Sequence, residues 1–196
     1  MVHLYIIRHG ETEENAAGIL QGHMPGRLTE KGRGQAVALR RQLVAAGAKP
    51  DALVCSDLAR AVETARIVNE AYALPLTPTP LLRERDWGEL TGARIADVAG
   101  TKRFPASVES VEDMGRRARR LLTLLLTQYD GQRVLCVGHG LFNRCLLAAA
   151  ASCTLHDIPR MANGEVREVD IDRLPPQAET PTTATGDRAD DKVSAD

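Results

Sequence analysis

The amino-acid sequence predicts a three-layer α/β/α fold with a mainly parallel central sheet. Two observations lead to this prediction. Apolar runs at residues 4–7, 52–55 and 134–137 do not alternate with polar residues, which is typical of strands covered on both faces. Segments in which apolar residues recur at helical spacing lie between these runs. Strands that alternate with helices in this way favour a parallel sheet between two helical layers.

Two further segments are predicted to be strands on weaker patterns. Residues 74–79 contain two prolines, and because proline cannot donate a ladder hydrogen bond we expect an edge strand there. Residues 166–171 follow the turn-forming pair Asn163 and Gly164, which predicts a late strand without fixing its partner.

Four helices are predicted between and after the strands. The first is expected between Thr29, a candidate N-cap, and Gly47, a candidate stop signal. The second is expected to begin at Ser56, and the third and fourth to cover about residues 108–129 and 141–151. The apolar stripe predicted for the first helix comprises Val37, Leu39, Leu43 and Val44.

Length and composition restrict the classes of protein to consider. The 196 residues suit one domain, which we place at residues 1–173. Residues 174–196 hold two basic and five acidic residues together with prolines, so a disordered C-terminal tail is predicted. A net charge of −1 and an aromatic content of 3% argue against nucleic-acid and anionic-membrane partners.

Four isolated cysteines indicate a reducing compartment. They show none of the paired spacings that are typical of zinc sites or redox motifs, so we expect buried, reduced thiols in a cytoplasmic protein. The apolar run at the start of the sequence is too short for a signal peptide or a membrane span.

The reactive side chains cluster directly after predicted strands. Polar groups occupy residues 8–12, 56–60, 83–88 and 138–140. Because the carboxyl ends of parallel strands meet at one edge of a sheet, we expect these four clusters to line a shared crevice. Two histidines, two arginines and one carboxyl group would converge there.

This combination of side chains suits phosphoryl transfer. Arginine binds phosphate oxygens bidentately, and Arg60 is expected in the first turn of a helix, where free N–H groups also favour an anion. A neutral imidazole can attack phosphorus, and nearby cations disfavour its protonation. A protonated carboxyl group can supply the proton that the leaving oxygen requires. The set is complete without a metal, and we expect no cofactor.

In these segments the chain resembles the histidine phosphatase superfamily, also called the phosphoglycerate mutase-like family. Residues 8–12 contain its Arg-His-Gly signature, and residues 56–65, 82–89 and 137–140 match three further blocks in the expected order. Arg-His-Gly alone would be a weak signal, whereas four ordered blocks are specific. The resemblance covers about residues 2–171 and implies the phosphoglycerate mutase-like version of the predicted fold.

The resemblance implies a role for each matched side chain. His9 would be the nucleophile that becomes phosphorylated, and Glu84 would donate a proton and later act as the base. The phosphate pocket would consist of Arg8, Arg60 and His139. Positions that contact substrate in the family match Asn15, Gln21 and Gly22.

Some of these assignments have competing interpretations. Glu89 is a second acid close to Glu84 and competes for the role of proton donor. Asn15 is also suited to stopping a local turn. Gln21 is also suited to a loop without a function.

Other polar and aromatic residues near the blocks have no matched role. For His23 and His156 we expect surface or packing roles, and Trp87 suits either a pocket wall or the core. A run of four arginines opposes the apolar stripe of its helix, so a solvated face is expected there. These arginines are Arg116, Arg117, Arg119 and Arg120.

Hydrolysis of a small phosphorylated metabolite is the favoured reaction, with water attacking the phosphohistidine. Two alternatives remain: a phosphoglycerate mutase-type phosphoryl transferase, or a non-catalytic module that binds phosphorylated ligands. Glu84 and His139 lie 55 positions apart, whereas mutases of the family carry a much longer insertion over the site. A short cover favours attack by water, and the intact set of reactive side chains disfavours the binding module. The sequence predicts no oligomeric state.

Overall fold

One five-stranded sheet organises the computed structural model, which describes residues 1–101 and 103–174. The strands run in the order β3-β2-β4-β1-β5 across the sheet, where β1 is Val2–Arg8, β2 is Ala52–Ser56, β3 is Leu76–Thr79, β4 is Arg133–Gly138 and β5 is Val166–Ile171. The first four strands are parallel, and β5 pairs antiparallel with β1. The predicted mainly parallel sheet is confirmed, and its proline-containing strand β3 lies at an edge.

Helices cover both faces of this sheet. In the described part of the chain the long helices are α2 (Glu30–Ala45), α3 (Ala59–Asn69), α5 (Val111–Gln128) and α6 (Gly140–Ala151), and the single-turn helices are α1 (Glu13–Ala16) and α4 (Ile95–Val98). Alternate residues of β1 face opposite helical layers. Leu4 and Ile6 pack with α5 and α6. Tyr5 and Ile7 pack with α2 and α3, which confirms the three-layer prediction.

The first long helix begins and ends at the predicted signals. The Thr29 hydroxyl accepts a hydrogen bond from the Gly32 N–H at 2.9 Å, as an N-cap does. Gly47 follows the helix with φ at 71°, and the Ala48 N–H donates back to Leu43 O at 2.9 Å. This pattern is typical of a glycine-terminated helix.

Two predicted details of the helices are wrong. Val44 is 53% exposed, because the inward face of α2 runs through Ala36 and Leu43 instead. Ser56 does not cap α3, since its backbone pairs with β3 and the helix begins only at Ala59. Helices α5 and α6 match the third and fourth predicted helices to within three residues.

The structure bears on two of the three predictions made from composition. The tail at 174–196 lies outside the described residues except for Leu174, so the boundary of the domain at residue 173 stays a prediction. Within the two described ranges, no helix combines the length and apolar character that crossing a bilayer requires. All four cysteines are free thiols. The prediction that they are buried holds for three of them and is wrong for Cys153, which is partly exposed.

A close contact between two glycines places the loop after β1 against α2. A Cβ built on Gly10 would lie 2.3 Å from the carbonyl oxygen of Gly32, in the first turn of α2. A Cβ on Gly32 would in turn lie 2.0 Å from Glu11 O. Backbones can approach this closely only where neither residue carries a side chain. The contact therefore fixes the path of the loop that carries His9.

Gly10→Ala should destabilise the fold, since the added Cβ meets main-chain atoms rather than a flexible side chain. We expect a loss of roughly 1–3 kcal/mol in the free energy of unfolding, measured by urea denaturation. The matched control is Gly34→Ala in α2, where a Cβ has open space and should gain up to about 1 kcal/mol from helix propensity. Equal stability of the two variants would show that the glycine contact does not constrain the loop.

Candidate active site

His9 lies at the carboxyl end of β1 with its ring buried. The residue is 3% exposed, and its Nδ1 lies 2.7 Å from Gly10 O, a carbonyl oxygen that can only accept. Nδ1 therefore carries the proton, as inferred from this hydrogen bond, and Nε2 keeps a lone pair. A ring nitrogen in this state can attack phosphorus.

Arg60 connects His9 with His139. It lies in the first turn of α3 and is 1% exposed. Its Nε–H points at two acceptors, His9 Nε2 at 3.3 Å and His139 Nδ1 at 3.2 Å. Its outer nitrogens donate to Met24 O at 2.5 Å and to Gly22 O at 2.8 Å. The structure thus brings together three side chains that the sequence places after three different strands.

His139 follows β4 and is fully buried. Because its Nδ1 accepts from Arg60, the proton of this ring is assigned to Nε2. Within the described residues this Nε2 has no hydrogen-bond partner. The ring centroid lies 5.1 Å from that of His9. His139 therefore carries an unused N–H donor beside the imidazole of His9.

Both imidazoles are held neutral by their surroundings. Burial is the largest cause that lowers the pKa of His9 well below its ordinary value of 6.5, and the charges of Arg60 and Arg8 lower it further. Burial and then Arg60 lower the pKa of His139 in the same way. Burial lowers the pKa of Arg60 to about 10, so this guanidinium stays charged at neutral pH. An uncharged imidazole therefore lies beside a guanidinium that is charged at neutral pH.

Arg8 brings a second guanidinium to the same edge of the sheet. It is the last residue of β1, is largely buried, and donates from Nη1 to Met161 O. The start of α6 packs closely against it, since a Cβ on Gly140 would lie 3.1 Å from Arg8 Cζ. Two guanidinium groups at one strand edge favour binding of an anion.

Glu84 belongs to the segment after β3, and its side chain reaches the start of α6. Its Oε1 accepts from the Arg85 N–H at 2.8 Å and the Phe142 N–H at 3.0 Å. Its Oε2 accepts from the Leu141 N–H at 3.1 Å, and so has a lone pair left for a proton. The competing acid Glu89 is exposed and lies outside the cavity that Glu84 lines. The geometry therefore favours Glu84 as the carboxyl group of the site.

A cavity of about 420 Å³ opens at this edge of the sheet. Its volume is that of a small-molecule site. Among the described residues Glu84 is its single acidic lining residue, whereas five arginines line it, so the cavity suits an anion. His139 is not part of the lining. Residues with an expected role that line it are Arg8, His9, Asn15, Gln21, Gly22, Arg60, Glu84 and Trp87.

Asn15 is oriented by a residue that sequence reasoning missed. The Asn163 amide donates to His9 O at 3.1 Å and to Asn15 Oδ1 at 3.4 Å. The Thr12 N–H also donates to Asn15 Oδ1, at 3.2 Å. Because its oxygen is occupied, Asn15 has its NH₂ group to offer a ligand. The Asn-Gly signal located the turn that holds Asn163 but not this contact.

Gln21 and Gly22 line the cavity from a tight loop. Gly22 has φ at 48°, which favours glycine, and its carbonyl oxygen holds Arg60. A Cβ on Gly26 would lie 2.6 Å from Gln21 Oε1, so the absence of a side chain there makes room for the amide. Gln21 Oε1 is buried without a partner within the described residues. This oxygen therefore keeps an unused acceptor position.

The residues without a matched role lie close to the same cavity. His23 is partly exposed, and its Nε2 lies 3.0 Å from Glu84 O, so it contacts the segment that carries this carboxyl group. Trp87 lines the cavity and also packs edge-on against Phe104, with 5.7 Å between ring centroids. His156 is exposed and forms part of the cavity lining.

The prediction that the arginines of α5 face solvent is wrong for Arg117. Arg117 forms an ion pair with Glu109 in which each side chain is 16% exposed. The reason is that this flank of α5 packs against the segment that carries Glu84. Arg116 and Arg120 are exposed as predicted, and Arg119 is partly exposed.

Comparison with known sequences shows which family the chain resembles. The sequence model of the histidine phosphatase superfamily (branch 1) matches residues 4–181. A Yersinia pestis protein named "Probable phosphoglycerate mutase GpmB" is 32% identical over 200 residues. The match covers 95% of this chain and 90% of that protein.

Solved structures show the same fold. The mycobacterial glucosyl-3-phosphoglycerate phosphatase complexed with VO3 is 27% identical with a TM-score of 0.77, and the match covers 86% of this chain and 92% of that one. The α-ribazole phosphatase from Shigella flexneri is 28% identical with a TM-score of 0.78, covering 88% and 92%. The family match over most of the chain, together with these likenesses, leads to one conclusion: the chain belongs to the histidine phosphatase superfamily.

Proposed function

We propose that the protein hydrolyses a small phosphate monoester through a phosphohistidine on His9. The observation that carries this proposal is the unprotonated Nε2 of His9, buried beside Arg60 at the cavity. In the first step the Nε–H of Arg60 would turn from His9 Nε2 to a phosphate oxygen. The freed Nε2 lone pair forms a bond to phosphorus while the bond from phosphorus to the alcohol oxygen breaks. In the second step water attacks phosphorus, the bond to Nε2 breaks, and inorganic phosphate leaves.

Fixed charges and donors would stabilise the phosphoryl group during transfer. A phosphate monoester carries close to two negative charges at neutral pH, and Arg8 and Arg60 supply two positive ones. His139 is not part of the cavity lining, but its Nε2–H, beside the ring of His9, would add a donor to a phosphoryl group on His9 without adding charge, because this ring is neutral. Each donor of this kind is typically worth about 10²–10³-fold in kcat.

Glu84 would move the proton in both steps. Its Oε2 gives a proton to the alcohol oxygen as the bond to phosphorus breaks, and the resulting carboxylate later takes a proton from the attacking water. The main-chain N–H groups of Arg85, Leu141 and Phe142 keep the carboxyl group in place between the two steps.

Two similar structures support a phosphatase. One is named a glucosyl-3-phosphoglycerate phosphatase and the other an α-ribazole phosphatase, and the first is complexed with VO3. Vanadium oxyanions resemble a phosphoryl group in transfer. A small phosphorylated metabolite is the substrate class that fits both the names and the cavity of about 420 Å³.

A phosphoglycerate mutase-type transfer is the second candidate, and the name of the Yersinia relative favours it. A mutase must shield its phosphohistidine from water. The 55 positions from Glu84 to His139 supply α4, α5 and β4, which leaves little chain to cover the site. This short cover supports hydrolysis.

No metal or cofactor enters this proposal, because Arg8, Arg60 and His139 supply the charge and the donors. Across the two described ranges, no three His, Cys, Asp or Glu side chains are grouped so that they could hold a metal ion. A cytoplasmic location stays a prediction that rests on the cysteine pattern.

Product analysis distinguishes the candidates. With 4-nitrophenyl phosphate we expect nitrophenol and inorganic phosphate in equal amounts, at a rate unchanged by EDTA. Activity that requires a bisphosphorylated primer and isomerises a monophosphate without releasing phosphate would support the mutase. Binding that phosphate competes for, without turnover, would support the non-catalytic module.

His9→Ala should lower kcat by roughly 10³-fold or more, because the variant has no nucleophile for phosphorus. Alkaline quenching during turnover of a radiolabelled phosphate ester should trap acid-labile phosphate on wild type and none on the variant. Circular dichroism and urea unfolding check that the variant is folded. Near-wild-type turnover by folded His9→Ala would refute the phosphohistidine.

Stability should fall as the pH drops below about 6.5 because His9 and His139 are buried and neutral. Their pKa values are lower in the folded state, so the unfolded chain binds more protons in this range. Each ring then lowers the free energy of unfolding by up to about 1.4 kcal/mol for each unit by which the pH falls. Urea unfolding between pH 7.5 and 5.5 should show a shallower decline for His139→Gln than for wild type. His156→Gln, at an exposed position, is the control, and identical slopes for all three proteins would contradict the neutral rings.

A further inference from the structure

We infer that Arg117 is a positioning residue for proton transfer by Glu84, an inference that rests on the proposed function. Arg117 lies in α5, in the basic run that the sequence pattern assigns to solvent. It is not part of the cavity lining, so it would act through other residues. Its contacts converge on the two segments that determine where the carboxyl group of Glu84 lies.

All five N–H groups of the Arg117 guanidinium have acceptors. Nε and Nη2 donate to the two carboxylate oxygens of Glu109 at 2.9 and 2.7 Å. Nη1 donates to Leu81 O at 3.2 Å and to Arg83 O at 2.6 Å. Nη2 also donates to Glu84 O at 3.3 Å. One side chain therefore fixes the main chain at Glu84 and just before it.

The same guanidinium contacts the start of α6. Its Cζ lies 4.0 Å from the centroid of the Phe142 ring, a favourable cation–π distance. The Phe142 N–H is one of the donors that hold Glu84 Oε1. Arg117 thus touches both the main chain that carries Glu84 and the helix end that receives its carboxyl group.

Glu109, the ion-pair partner of Arg117, contacts the two residues that follow Glu84 in the chain. Its carbonyl oxygen accepts from Arg85 Nε at 2.7 Å, and its N–H donates to Asp86 O at 2.8 Å. The ion pair with Arg117 is mostly buried, so solvent screens it weakly. Lysine would keep the charge but would provide three donors instead of a planar set of five.

Position matters here because a proton donor must reach the leaving oxygen within hydrogen-bonding distance. A displacement of about 1 Å can cost on the order of 10²-fold in rate. Because kcat/KM reports the transfer to His9 and not the later attack by water, the loss in kcat/KM should be confined to substrates whose leaving group needs a proton. A residue that only stabilised the fold would not produce this dependence on the leaving group.

The test compares 4-nitrophenyl phosphate, whose anion leaves without a proton, with phenyl phosphate, whose more basic phenolate requires one. Arg117→Met should lower kcat/KM about 10–10²-fold on phenyl phosphate and less than about threefold on 4-nitrophenyl phosphate. Arg117→Lys should show the same selectivity with a smaller loss, and it replaces Arg117→Met if that variant does not fold. Arg120→Met, at an exposed position of the same helix, should match wild type on both substrates.

Glu84→Gln separates this inference from the proposed function. Glu84→Gln should show the larger selective loss of kcat/KM on phenyl phosphate. Adding Arg117→Met to it should not change the ratio of the two kcat/KM values further. Equal losses on both substrates, or wild-type ratios in both Arg117 variants, would overturn the inference while Glu84→Gln stays selective. A Glu84→Gln variant without selectivity would instead refute Glu84 as the proton donor.

Discussion

A single N–H group, Nε–H of Arg60, determines the state of the whole site. It lies between nitrogens of His9 and His139, at 3.3 and 3.2 Å. Because the guanidinium keeps its proton, both nitrogens that face it must be acceptors. This requirement assigns a lone pair to Nε2 of one ring and a proton to Nε2 of the other. The Nε2 atoms of two identical side chains thereby take opposite hydrogen-bonding roles, acceptor in His9 and donor in His139, and burial keeps both rings uncharged.

The order of the strands explains why these three side chains meet. Strands β1 and β4 are neighbours, and β2 flanks β4 on its other side. His9 and His139 directly follow two of these strands, and Arg60 lies in the helix after the third. Parallel strands place all three residues at one edge of the sheet. The loop that carries His9 is then set against α2 by the contact between Gly10 and Gly32.

Sequence patterns predict the parts of this structure that depend on short stretches of chain. Doubly covered strands appear as apolar runs, and reactive residues after such runs indicate a shared edge. The contacts of Arg117 and Asn163 leave no such pattern, since they join positions 33 and 154 residues apart. A helix flank opposite the apolar stripe can still pack against a loop, as Arg117 does. Val44 shows the reverse case, an apolar residue at the border of a stripe that the tertiary packing leaves exposed.

Main-chain atoms hold the side chains of Arg60 and Glu84 in place. This determines which changes of sequence the site tolerates. Arg60 is held by the carbonyl oxygens of Gly22 and Met24, and Glu84 accepts an N–H from Leu141. A main-chain group survives when the side chain beside it is exchanged, so a lining residue such as Leu141 is free to reshape the cavity. An insertion or deletion would displace the carbonyl and N–H groups themselves. Point substitutions in the lining should therefore adapt the cavity to ligands with different organic groups more readily than changes in loop length.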